Sequence, residues 1–256
     1  MLKRITLLHE RVSSWESYPF SVPAIQSFKG LELRNRICFF TGENGTGKST
    51  LLEAIASHYG FGPEGGNRSL AGGSRSLRAD TTESNQAVNL LARALRLSFD
   101  IRSGAGYFLR AESFFNVSTR IDEMDLTRYY GGRSLHARSH GETFFTLLEH
   151  KFREDGLFLL DEPEAALSPQ RQLSFLVLLH DVMKEFAEAQ FIISTHSPIL
   201  LGFPGAQIVS FDGGALAEID YESTSPARIV RRFMNNREGF LDELFRETPS
   251  LFDDEL

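Results

Sequence analysis

Two apolar rhythms alternate along the chain. RICFF (36–40), LFLL (157–160) and QFIIST (190–195) are short blocks rich in Phe, Leu and Ile, and each runs into polar or glycine residues. Unbroken apolarity over four or five positions is the pattern of strands covered on both faces, as in a parallel sheet. Between these blocks, Ser49–Tyr59 and Pro169–Phe186 carry helical spacing. In the second, Leu173, Leu176, Val177, His180 and Met183 fall on one face, which is expected to be the buried one. Strand, helix, strand predicts an α/β fold with a mostly parallel sheet. Upstream, Ile5–Val12 and the segment around Ile25–Leu33 read as strands with turn chemistry between them, which predicts an antiparallel edge layer. Residues 61–85 hold five glycines, four serines and three arginines with scarcely any apolar content, so a flexible loop is expected there. No internal repeat and no heptad run long enough for a coiled-coil arm is present.

Composition narrows the class. At 256 residues and 41% apolar content, the chain can bury one large core or one core with an inserted lobe. No stretch reaches the roughly 18 consecutive apolar residues of a membrane helix. His9, Glu10 and Arg11 interrupt the N-terminal apolar stretch before a signal-peptide core could form. The lone Cys38 lies in ICFF, where it reads as a small core residue, and a single cysteine forms no intrachain disulfide. A cytoplasmic protein without a membrane span is expected. The formal charge of −7 argues against a broad basic surface for nucleic acid and leaves room for a local positive groove.

The strongest chemical signal is Gly42-Glu-Asn-Gly-Thr-Gly-Lys48-Ser49, a full GxxxxGK[ST] match placed directly after the ICFF strand and directly before a helical pattern. Glycines let the chain turn tightly, so the backbone of Asn44, Gly45, Thr46 and Gly47 can aim N–H groups at phosphate oxygens. The following helix adds the positive end of its dipole. Lys48 brings a full charge to the β and γ phosphates, Ser49 a hydroxyl for Mg²⁺, and Thr50 support for the α phosphate.

The second signal is Leu157-Phe-Leu-Leu-Asp161-Glu162, where two carboxylates leave the C-terminal end of a buried strand, the edge at which open α/β sheets bind ligands. Asp161 suits a magnesium shell as a hard oxygen donor. Glu162 can polarise the water that attacks the γ-phosphate.

With these residues in order, the chain resembles the ABC-type ATPase superfamily, on the side of its small stand-alone SMC- and RecF-like members more than the transporter cassettes. DEPEAALSP (161–169) looks like Walker B with its D-loop, and STHSP (194–198) like the switch-histidine segment. The resemblance implies a P-loop NTPase fold over residues 1–256, with a RecA-like mostly parallel sheet, an antiparallel edge layer and a small helical signature lobe at 113–152. It implies that His196 bonds the γ-phosphate or the attacking water. It also places the signature motif at Ser139, His140, Gly141 and Glu142, where transporters read LSGGQ and where His140 replaces a family glycine. Read from the residues alone, Ser139 with Glu142 three positions later is a capping box opening a helix over Thr143–Phe152. The resemblance adds that this helix start meets the ATP of an opposite subunit. Glu112, in YFLRAESFF, stands where the family places the Q-loop glutamine, with Arg110 as a rival; a carboxylate can ligate Mg²⁺ but donates no hydrogen bond unless protonated. Tyr18 and Trp15 are both candidates to stack on adenine.

The function expected from all this is Mg²⁺-dependent ATP binding and hydrolysis by a head-to-tail homodimer. Its output is motion delivered to a separately encoded effector protein, such as a nuclease or defence component. A DNA repair or recombination ATPase is the alternative, and a transporter cassette the second alternative. The Arg228-Ile-Val-Arg-Arg232 stretch reads either as a small phosphate-contacting patch or as a solvated helix face.

Overall fold

The computed structural model describes residues 1–63, 65–67, 83–101, 104–111 and 140–247. Most of the 61–85 loop and of the 113–152 lobe lies outside these residues, as do Glu112 and Ser139. In chain order the strands are β1 (Leu2–Leu7), β2 (Gly30–Glu32), β3 (Ile37–Thr41), β4 (Leu95–Phe99), β5 (Gly106–Arg110), β6 (Leu157–Asp161), β7 (Gln190–Ser194), β8 (Gln207–Ser210) and β9 (Ala217–Glu218). The helices are α1 (Pro23–Gln26), α2 (Lys48–Tyr59), α3 (Glu83–Ala94), α4 (His140–Lys151), α5 (Pro169–Glu185), α6 (Pro198–Leu201), α7 (Ser225–Asn235) and α8 (Arg237–Glu247). Among the described residues the strands form an antiparallel sheet of order β2-β1-β4 and a larger sheet of order β5-β6-β7-β3-β8-β9. The larger sheet is parallel from β5 to β8, and β9 closes it antiparallel. The expected parallel sheet and antiparallel edge layer are both present.

Every residue of β3, β6 and β7 is buried, because both faces of the large sheet are covered. Successive side chains alternate between two cores. Phe40 and Ile192 join Ile5, Leu51, Ile55 and Leu91 in the core between the two sheets, where α2 is packed. Phe39, Phe158 and Phe191 point the other way and meet Phe144, Leu148, Phe152 and Phe175 from α4, its end and α5. Phe158 and Phe191 stack at 4.9 Å, and the Phe152 ring lies edge-on to each. Cys38 is buried on β3, and burial pushes its thiol pKa up, as fits an inert core residue.

Two glutamines join the sheets. Gln190 opens β7, and its side-chain amide accepts from Leu2 N and donates to Leu2 O, both at 2.8 Å, as a neighbouring strand would. Gln207 opens β8 and repeats the device: it donates to Glu32 O and accepts from Arg34 N. Each buried amide thus satisfies backbone groups that would otherwise be orphaned at the sheet edge.

Three expectations are corrected. β1 ends at Leu7, and the chain turns through a 3₁₀ segment at His9–Arg11, so 5–12 is not one strand. The region from Ile25 begins in α1, which Pro23 opens, and only Gly30–Glu32 is extended. Helix α5 buries Gln172, Phe175, Leu179 and Val182, whereas Leu173 and Val177 are 49% and 60% exposed and His180 is also exposed. The helix carries two neighbouring apolar stripes. The stripe with Phe175 buries the larger ring, and it holds Gln172, whose amide is bonded to Leu167 O and to Ser197 Oγ. Leu176 and Met183 are only partly buried.

β5 lies tightly against β6 at Gly106, where φ is +138° and a Cβ would lie 2.1 Å from Leu157 O. Gly106→Ala combines a conformation that alanine rarely adopts with a clash against backbone, and is expected to cost about 3 kcal/mol or more. Denaturant unfolding measures this; a midpoint equal to that of the unsubstituted chain would remove the close approach.

Candidate nucleotide-binding site

The P-loop is the turn from β3 into α2. Gly42, Gly45 and Gly47 all have positive φ, at +142°, +79° and +100°. At Gly42 an added Cβ would meet Asp212 Oδ1 and Phe211 Cβ at 3.0 and 3.2 Å. Asp212 Oδ1 in turn accepts the Glu43 N–H at 2.8 Å, which pins the loop's first turn to the end of β8. Thr46 folds back onto Glu43 O through its hydroxyl at 2.8 Å. Gly47 caps α2 in a left-handed conformation with no side-chain cap. The first-turn N–H groups therefore point along the helix axis with no intrahelical acceptor, an arrangement suited to an anion.

Lys48 lies across this loop, only 4% exposed, and its Nζ donates to Gly42 O at 2.6 Å and Glu43 O at 2.9 Å. Burial lowers its pKa, opposed by the charges of Glu162, Asp161, Asp212 and Glu43. The ammonium is thus the positive centre of an otherwise acidic mouth.

Strand pairing brings the second motif to the same place. β6 and β7 pair Asp161 with Ser194, and β7 and β3 pair Ser194 with Phe40, so the ends of three strands converge. Ser49 Oγ donates to Asp161 Oδ1 at 3.0 Å across 112 residues of sequence. Burial raises the Asp161 pKa, opposed by the Ser49 hydrogen bond and by the Arg110 charge. A desolvated carboxylate next to a serine hydroxyl is a hard-oxygen pair that regains solvation from a divalent cation. Among the described residues no group of three or more His, Cys, Asp or Glu could hold a metal. Ser49 and Asp161 alone fit Mg²⁺, which takes one or two protein oxygens together with phosphate and water.

Glu162 is the one non-glycine residue with positive φ among the described residues, at +49°. It precedes Pro163, a position normally driven to extended backbone, and left-handed geometry there stores about 1–3 kcal/mol. The Glu162 N–H still bonds Ser194 O at 2.9 Å, so the turn begins where the strand pairing ends. Glu162 Oε1 lies 3.6 Å from His196 Nε2, as a neighbour and not as a hydrogen-bond partner. Burial lowers the His196 pKa, helped by the Lys48 charge, which favours a neutral ring near neutral pH.

Of the remaining candidates, Arg110 is salt-bridged to Glu53 of α2 at 3.1 Å. The Trp15 ring meets His9 and Phe20 edge-on and belongs to the core. Tyr18 is 50% exposed, and its hydroxyl lies 2.9 Å from Thr50 Oγ1 at the start of α2. His140, Gly141 and Glu142 form the first turn of α4, with Ser139 outside the described residues. Sequence reasoning missed Asp212 and Glu53, which reach the site only through tertiary contacts. It also missed Glu164, whose carboxylate accepts the His196 N–H at 2.6 Å; the acidic DEPE run was visible, but its partner was not.

A family model described as "AAA domain, putative AbiEii toxin, Type IV TA system" matches residues 142–202, the stretch from α4 through the switch histidine. The thiamine import ATP-binding protein ThiQ of Salmonella choleraesuis is 31% identical over 152 residues, 56% of this chain and 63% of that protein. Its Salmonella typhimurium counterpart is 30% identical over the same extent. Over this stretch the chain is similar to ATP-binding proteins of the ABC type. It spans 63% of the length of the curated relatives it matches. Among solved structures, the SMC head domain from Thermotoga maritima aligns with a TM-score of 0.45 at 17% identity, covering 86% of this chain and 98% of that one. A Clostridium perfringens component of the ABC transporter complex cbiONQ aligns with a TM-score of 0.47 at 17% identity, covering 86% and 92%. Along the chain, the GxxxxGK[ST] segment is Gly42–Ser49, the Asp161-Glu162 pair stands at the end of β6, and the His196 segment follows β7. No described helix is long and apolar enough to cross a membrane.

Proposed function

We propose that this chain binds ATP with Mg²⁺ and hydrolyses it, working as a head-to-tail dimer that switches a separately encoded effector. The observation that carries the reading is the 3.0 Å hydrogen bond from Ser49 to Asp161, which joins the P-loop to Walker B beside Lys48, Glu162 and His196. In this reading the P-loop amides and Lys48 hold the β and γ phosphates, and Tyr18 offers its ring to adenine. Ser49 and Asp161 hold Mg²⁺, which offsets phosphate charge when bound. Glu162 orients and polarises the attacking water, and the neutral His196 ring bonds the γ-phosphate or that water.

The effector reading draws on the toxin–antitoxin wording of the matching family model. The names of the import relatives favour a second reading, a cassette driving a separate permease. The Ser139-His-Gly-Glu142 sequence in place of LSGGQ weighs for the first.

Closure of the proposed dimer needs ATP in both sites and a helix start from each partner. Glu162→Gln, which retains its ATP, is expected to dimerise with ATP·Mg²⁺ in light scattering. Ser139→Arg/Glu162→Gln is expected to stay monomeric with its ATP affinity retained. Losing an N-cap side chain costs about 1 kcal/mol, so melting is followed in parallel. A folded double variant that still dimerises with ATP would show that the head-to-tail sandwich is wrong.

A further inference from the structure

The loop carrying His196 is held from three directions. Thr195 N bonds Phe40 O at 3.0 Å, which ties the chain to β3. Ser197 Oγ caps α6 by accepting from Ile199 N and Leu200 N, and donates to the buried Gln172 Oε1 at 2.5 Å. Between these anchors, the His196 amide is taken by Glu164, from the 3₁₀ turn Pro163–Ala166 that follows Walker B. At 2.6 Å this is a short hydrogen bond. The neighbouring Thr195 hydroxyl accepts the Ser197 N–H at 3.0 Å. One carboxylate thus takes the amide at the centre of this loop.

Keeping a carboxylate here is costly. Glu164 Oε2 is buried without a hydrogen-bond partner, and the nearby Glu162 charge adds to the cost of ionising it. A neutral acceptor such as glutamine would satisfy the same N–H at less desolvation cost. A buried group retained against its own solvation penalty, bonded to the backbone of a site residue, is the pattern of a group kept for geometry. The His196 ring stands 3.6 Å from Glu162 and within reach of the Lys48 charge, and the amide that Glu164 holds belongs to the same residue.

We propose that Glu164 is the positioning residue of His196: it fixes the backbone from which the imidazole reaches the γ-phosphate region, and so couples the Walker B turn to the switch histidine. The kinetic consequences rest on the ATPase reading; the geometry does not. Glu164→Ala is expected to lower kcat by about 10²-fold, the loss typical of a misplacement near 1 Å, with KM for ATP within about threefold of the parent. Glu164→Gln, whose amide oxygen can accept the same N–H, is expected to recover most of that loss. In a His196→Ala background, Glu164→Ala is expected to cost no further activity, because two residues acting through one geometry are not additive.

A second measurement is independent of turnover. In the full chain, hydrogen exchange at the His196 amide is expected to quicken at least about tenfold in Glu164→Ala and to stay near the parent rate in Glu164→Gln. Unchanged exchange at His196 in folded Glu164→Ala overturns the proposal. So does a full loss of kcat from Glu164→Ala when His196 is already alanine. If the alanine variant does not fold, the glutamine variant decides: parental exchange at His196 supports the proposal, and exchange as fast as in a loop overturns it. Should the parent chain hydrolyse no ATP, the ATPase reading falls, and the exchange experiment alone decides the role of Glu164.

Discussion

Lys48→Ala is expected to weaken ATP binding by about 10²–10³-fold, or about 3–4 kcal/mol, the scale of removing one partner from a buried charged contact. The effect is large because of what stays behind. Glu43, Asp161, Glu162 and Asp212 all act on the Lys48 ammonium. Without that charge, the polyphosphate would meet an acidic mouth offset mainly by the helix dipole, the loop amides and the Arg110 charge near Asp161. The fold should survive. Among the described residues, Lys48 Nζ bonds the two loop carbonyls Gly42 O and Glu43 O, which can turn to water, and the hydrophobic faces of α2 lie elsewhere. Calorimetric titration with ATP·Mg²⁺, beside a melting curve, measures both effects. Affinity within threefold of the parent in a folded variant would remove Lys48 from the phosphate site.

Glu162→Gln is expected to slow hydrolysis by about 10²–10⁴-fold, the range of a positioned base, while ATP affinity changes little. Glutamine has the same length and can occupy the same left-handed turn, so the Glu162 N–H bond to Ser194 O should persist. What it lacks is the charge that polarises water. Removing that charge also removes one of the groups that oppose burial in setting the Lys48 and His196 pKa values, so slightly tighter binding of an anionic nucleotide is consistent with the same picture. Phosphate release under single-turnover conditions separates chemistry from binding. A single-turnover rate equal to the parent's would place the base elsewhere.

The legible parts of this molecule were those whose chemistry is contiguous in sequence. ICFF followed by Gly42–Ser49, and LFLL followed by Asp161 and Glu162, each carry strand, turn and reactive group within a dozen residues, so local pattern sufficed. The buried face of α5 was not legible, because two apolar stripes satisfy the same period. Phe175 was chosen by Phe152 of another element, and Gln172 by Ser197. Asp212, Glu53 and Glu164 were missed for a related reason: each meets the site through a partner 32 or more residues away or on another element. Gln190 and Gln207 look like ordinary polar residues opening strands, and only the second sheet reveals that they act as substitute backbone.

The position of β3 also governs when the site can exist during synthesis. Both edges of β3 are covered by strands made much later, β7 on one side and β8 on the other. At ribosomal rates of about 5–20 residues per second, the P-loop strand is exposed for roughly 8–30 s before Gln190–Ser194 is made. Throughout that interval it has neither neighbour, and its four buried-type residues Ile37–Phe40 form an unpaired apolar edge. A nascent chain ending before β7 therefore has no framework to hold Gly42–Ser49 in shape. In the ATP-binding reading, nucleotide capture waits until the last third of the described chain has joined the sheet, and bound ATP then stabilises the finished domain by mass action.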